Sequence, residues 1–157
     1  MASNCCRVYN RWRMSELVRE VQEILEAEAR DVIAAGWAEV RADEGAIGPT
    51  LHLEPMKLDA APLEIYFDSD ELLVCYPGRH SMVVEFFSED PEEIKPGVRA
   101  LAAAVVAGSY SERLKQGSTD VEAEWPGPEG IQRATRTVIA VPGTKDNPWR
   151  DVSYEAY

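Results

Sequence analysis

The chain has 157 residues, 45% apolar and 28% charged, so it is expected to fold as one globular domain without disulfides or metal, and whole-chain disorder is excluded. Twenty-eight acids against sixteen bases give a formal net charge of −12. A surface of that sign repels nucleic acid and anionic membrane and attracts a basic protein.

Residues 1 to 13 carry Arg7, Arg11 and Arg13 and no acid, so the whole acidic excess lies from Met14 onward. This stretch is expected to be a basic, loosely ordered N-terminal extension, with the folded domain spanning 14–141 and a C-terminal tail at 142–157. Cys5 and Cys6 beside the arginines offer an acylation anchor as the lesser alternative. No secretory signal core follows the basic residues. With Cys75, the three cysteines make no disulfide framework, and a cytoplasmic location is expected.

Ser15 to Ala35 is predicted as the first helix. Leu17, Val18, Val21, Ile24, Leu25, Ala29, Val32 and Ile33 recur at three- and four-residue spacing, and Gly36 ends the run. A strand-rich middle follows. Trp37 to Arg41 reads as extended. Gly45, Gly48 and Pro49 mark a loop, and Leu51 and Leu53 belong to a short strand ended by Pro55. Leu63, Ile65 and Phe67 alternate with polar residues, Leu72 to Tyr76 is a near-continuous apolar run, and Ser81 to Phe87 is a third strand. Short turns at Asp68-Ser69-Asp70 and Pro77-Gly78-Arg79-His80 predict an antiparallel meander over 63–87.

A second helix is predicted over 91–107. Asp90 caps it, Pro91 suits its first position, and Glu93 completes a capping box. Pro96-Gly97 should break or bend it, with the main helix from Val98 to Ala107. Beyond Gly108, Tyr110, Glu112 and Leu114 continue in a strand or short helix. Val121, Ala123 and Trp125 alternate with Asp120, Glu122 and Glu124, a strand with one acidic face. Pro126 to Gly130 is a loop, and Arg136 to Val141 a last β-rich segment. The predicted class is α+β, one domain, with a mostly antiparallel sheet covered by two main helices.

Catalytic and cofactor signatures are missing. The chain has no glycine-lysine phosphate loop, no dinucleotide fingerprint and no nucleophile elbow. Two histidines, His52 and His80, and one mid-chain cysteine cannot build a closely spaced zinc set, so no cofactor or metal is expected. A Cys75–His80 pair across the turn reads better as a buried thiol and a turn residue. The candidate partner-binding residues are therefore acids. They are Asp120, Glu122 and Glu124 on one strand face, Glu89, Asp90, Glu92 and Glu93 (with Glu85) before the second helix, and Asp43 and Glu44. The expected function is a non-enzymatic acidic binding protein, an immunity- or antitoxin-like inhibitor of a basic partner. The alternatives are a small dimeric secretion or folding chaperone, and an enzyme without a recognisable motif.

Overall fold

A computed structural model describes residues 3–45, 48–69, 71–137 and 141–157, with side chains from Met14 onward. Along the chain run α1 (Ser3–Glu28), α2 (Arg30–Ala34), β1 (Ala38–Gly45), β2 (Gly48–Pro55), β3 (Leu63–Phe67), β4 (Leu72–Pro77) and β5 (Val84–Phe87). Then come α3 (Pro91–Ala107), β6 (Ser111–Lys115), β7 (Val121–Gly127), β8 (Gly130–Arg136) and β9 (Trp149–Ser153). The class is α+β with antiparallel sheets and two main helices. No described helix is long and apolar enough to cross a membrane.

The predicted helix over 15–35 is two helices. The first begins upstream, at Ser3. Regular helical geometry lapses at the buried Ala29, whose φ is −100° and ψ 11°. Hydrogen bonding continues through that point, with Ile33 N–H donating to Ala29 O at 2.9 Å. The end is the one expected from Gly36. That residue has φ +76°, its N–H reaches Ile33 O at 3.0 Å, and Trp37 N–H reaches Val32 O at 2.9 Å, so the last carbonyls are satisfied.

The second main helix does not break at Pro96-Gly97. Pro96 is exposed in the second turn of α3, where its missing N–H removes a single helical hydrogen bond, the one to the Glu92 carbonyl. Gly97 lets the helix lie against Phe86, since a Cβ there would collide with the ring. Asp90 caps α3 as predicted, accepting from Glu92 N–H at 3.0 Å.

The meander is longer than expected. Strands β1 to β5 pair in sequence order, each antiparallel to the next. Where one sheet was expected there are two. Helix α3 carries the chain away from β5, and the strands after it form a separate sheet in the order β8-β7-β6-β9. The loop read at 126–130 is a tight hairpin in which Gly127 pairs with Gly130. The β-rich signal at 136–141 falls largely on 138–140, outside the described residues; β8 lies before it.

One core unites both sheets and both long helices. Leu17, Val21 and Leu25 of α1 and Val98, Leu101 and Val105 of α3 meet Leu51, Leu53, Ile65 and Leu73 of the first sheet and Val121 and Trp125 of the second. Residues 142–157, read as a tail, supply β9 and two buried tyrosines. Glu155 N–H donates to Asp59 O at 2.9 Å and Tyr157 N–H to Val106 O at 3.0 Å. The Tyr157 hydroxyl donates to Ala61 O at 2.5 Å. The last residue thus sits between the loop after β2 and the end of α3.

That placement makes Tyr157 part of the core. Tyr157→Ala is expected to lower unfolding stability by about 3 kcal/mol, through the cavity it leaves. Tyr157→Phe should cost about 1 kcal/mol, for the lost hydrogen bond alone. Urea unfolding of the two variants measures both.

Candidate functional site

The acids singled out in the sequence fall in three places. Glu122 and Glu124 project outward from β7, alternating with buried Val121, Ala123 and Trp125. Their face is not uniformly negative. Arg113 of β6 is in register with Glu122, 3.5 Å away, and Arg133 of β8 is in register with Glu124, at 3.0 Å. Arg113 also lies 3.8 Å from Asp151 and over the ring of Trp149. Asp120 sits in the turn before β7, its N–H donating to Ser118 Oγ at 2.9 Å.

The acids before α3 build its first turn. Asp90 caps the helix, and Ser88 Oγ donates to Glu93 Oε2 at 2.6 Å. Lys95 is held between Glu92 and Glu20, the latter at 2.9 Å. Glu85 and Glu89 are exposed. Asp43 on β1 pairs with Arg41 and with His52 Nε2, the latter at 3.1 Å, while Glu44 is exposed. Glu122 and Glu124 belong to the four-stranded sheet, whereas Asp43 and Glu85 stand in one row across the five-stranded sheet, through Thr50, Tyr66 and Val74.

It does assemble two features that the sequence reading passed over. The first is interior. Glu112 of β6 is 1% exposed. Its carboxylate accepts from Tyr110 OH at 2.7 Å and from Tyr154 OH at 2.9 Å, and lies 2.6 Å from His80 Nδ1. Tyr154 OH in turn accepts from Arg79 N–H at 2.9 Å. The turn after β4 wraps this carboxylate. Gly78 has φ +75°, and a Cβ there would collide with Glu112 Oε1. Ser81 takes φ 58°, unusual for a residue with a side chain. His80 is oriented through Nδ1 by a buried acid, and its side chain keeps 33% exposure. The signal for Glu112 was its phase: Tyr110 and Leu114 flank it at two-residue spacing, so it had to face inward with them.

The second feature is the outward face of the five-stranded sheet. Along β3 and β4, Glu64, Tyr66, Val74 and Tyr76 alternate with buried Leu63, Ile65, Leu73 and Cys75 and stay outside the core. Tyr66 and Tyr76 meet edge-to-face, ring centres 5.4 Å apart. A shallow depression of about 330 Å3 lies over them, bordered by Glu64 and Asp68. Its neighbour of about 340 Å3 shares Glu64 and Tyr76 and continues to His52, Arg79 and Ser81. Glu64 accepts a hydrogen bond from Tyr66, which holds that phenol's proton more tightly than usual, and sits 3.3 Å from His52 Nδ1. Phe87, 70% exposed, extends the sheet's apolar surface on β5.

Cys75 is sealed inside β4, and burial pushes its thiol up, away from the reactive thiolate. Among the described residues no group of three His, Cys, Asp or Glu side chains is placed to hold a metal ion. No protein-family model, curated protein or solved structure matches the chain.

Two outcomes follow for the interior cluster. Glu112→Ala removes the acceptor that three donors share and is expected to lower stability by about 3 kcal/mol or more. Glu112→Gln, which keeps the shape, should cost less, and urea unfolding separates the two. Burial, with the nearby Glu112 charge for Tyr110 and Tyr154, raises the phenols of Tyr110, Tyr154 and Tyr157 above their ordinary 10.0. In the unfolded chain these phenols ionise near 10.0, while in the folded chain they stay protonated. Their contribution to stability is therefore complete below that pH and declines as pH rises above it. Absorbance at the tyrosinate band, followed with circular dichroism, should show these three titrating only as the fold is lost.

Proposed function

We propose that this chain is a non-enzymatic protein-binding domain that docks a basic partner on the outward face of its five-stranded sheet, in the manner of an immunity- or antitoxin-like inhibitor. One observation carries the reading: the outward pair of half-buried Tyr66 and exposed Tyr76 is bordered by Glu64 and Asp68, on a chain of net charge −12. Tyrosines concentrate contact energy because they bury much area for little lost side-chain freedom. Carboxylates around them select a cationic partner and speed the encounter. On the four-stranded sheet, by contrast, arginines answer Glu122 and Glu124, so that face favours cations less.

The test is capture from native lysate followed by binding kinetics on the captured protein. A basic partner is expected. Its association rate should fall steeply with added salt, while dissociation changes little. The double variant Tyr66→Ala, Tyr76→Ala should weaken binding at least about tenfold. A captured partner that binds the double variant as tightly as the parent chain would sink the proposal.

A further inference from the structure

The other edge of the five-stranded sheet carries a separate surface. β1 is the outermost strand, and among the described residues nothing pairs with its far side. It runs eight residues, from Ala38 to Gly45, five of them exposed in succession. Long open edges are what natural sheets usually shorten or cover, because their free N–H and C=O groups accept another strand. Beside this edge lies a groove of about 580 Å3 between the strand and the helices. Ala27 of α1, Ile33 and Ala34 of α2 and Val40 of β1 give it an apolar lining, and Glu23, Glu26 and Arg30 line it with charge.

We infer that this groove takes an extended, basic segment of another protein, which adds to β1 as a sixth strand. The added backbone would bond to the free edge of residues 38–45. Every second side chain would point toward the helices, the others toward solvent. Small Ala27 and Ala34 leave room for the inward set, which is therefore apolar and of modest size. Charge fixes the rest of the occupant. Glu23 and Glu26 in the groove and Glu39 and Glu44 along β1 outnumber the groove's Arg30, while Asp43 and Arg41 already pair with each other. A second copy of this chain is the wrong occupant, since two bodies of net charge −12 repel. The site does not depend on the Tyr66–Tyr76 face, which lies on β3 and β4.

The experiment uses the full chain and a peptide of about eight residues that alternates valine with lysine, a length matched to the edge. Two control peptides carry N-methyl groups on alternate residues or glutamate in place of lysine. Hydrogen exchange of the 38–45 amides and backbone amide shifts are the readouts. The lysine peptide should slow exchange at alternate β1 amides about tenfold or more, and both controls should lose that effect. Ala34→Arg and Ala27→Arg, at exposed positions, should each weaken binding about tenfold without moving the unfolding midpoint. The Tyr66→Ala, Tyr76→Ala variant should bind the peptide normally, which separates this site from the open face. The inference fails if the N-methylated peptide binds equally, if shifts gather on Tyr66 and Tyr76, or if nothing binds at about 1 mM. It also fails if the free chain is a dimer with its β1 amides already protected.

Discussion

The fold turns on one buried carboxylate. Placing Glu112 in the interior would cost several kcal/mol if its charge went unanswered. Three side chains answer it, and they come from different parts of the chain: Tyr110 just before β6, His80 in the turn after β4, and Tyr154 just past β9. The turn belongs to the first sheet and the other two to the second. A single acceptor thus ties the two sheets and the C-terminal segment together. Gly78 belongs to the same requirement. Any side chain there would strike Glu112 or the Tyr154 hydroxyl, and its φ of +75° suits glycine in any case.

Holding this centre uses up much of the chain's recognisable chemistry. His80 is one of two histidines, and Tyr110 and Tyr154 are two of six tyrosines. Cys75 is packed away in β4. What stays outward is distributed unevenly. On the four-stranded sheet, arginines stand beside glutamates across the strands, and Trp149 lies under Arg113 and Lys115. On the five-stranded sheet, the outward residues of β3 and β4 include Glu64, Tyr66, Val74 and Tyr76, with His52 3.3 Å from Glu64. The asymmetry between the two faces follows from register, not from composition.

Register also explains what was readable from sequence. Period-two alternation in Leu63 to Phe67 and in Val121 to Trp125 announces a strand with one buried face, and both strands are there. Asp90-Pro91 and Gly36 announce helix ends through backbone requirements that are local, and both ends fall where expected. Partnership across strands is not local. Nothing near Glu122 in sequence says that Arg113 will stand beside it, and nothing near Glu112 says that Tyr154, forty-two residues on, will donate to it. The division into two sheets was hidden for the same reason, because strand spacing looks alike whether strands join one sheet or two. β9 was hidden by composition: Trp149-Arg150-Asp151-Val152-Ser153 alternates weakly and follows a stretch rich in turn residues.

The same distinction limits what net charge can say about recognition. A charge of −12 fixes the sign of the field that a distant partner meets, and with it the rate of approach. Contact is decided at shorter range, where each carboxylate counts only to the extent that its neighbours leave it unanswered. Glu122, Glu124, Glu92 and Glu93 contribute to the first effect, but each is already engaged by an arginine, a lysine or a hydroxyl. Glu64 is likewise engaged, by His52 at 3.3 Å, but it and Asp68 border the Tyr66 and Tyr76 rings, which a partner can cover. An acidic residue on this chain therefore matters for recognition through what lies beside it across the sheet, and that is set by the strand order and hairpin registers that Glu112 helps hold in place.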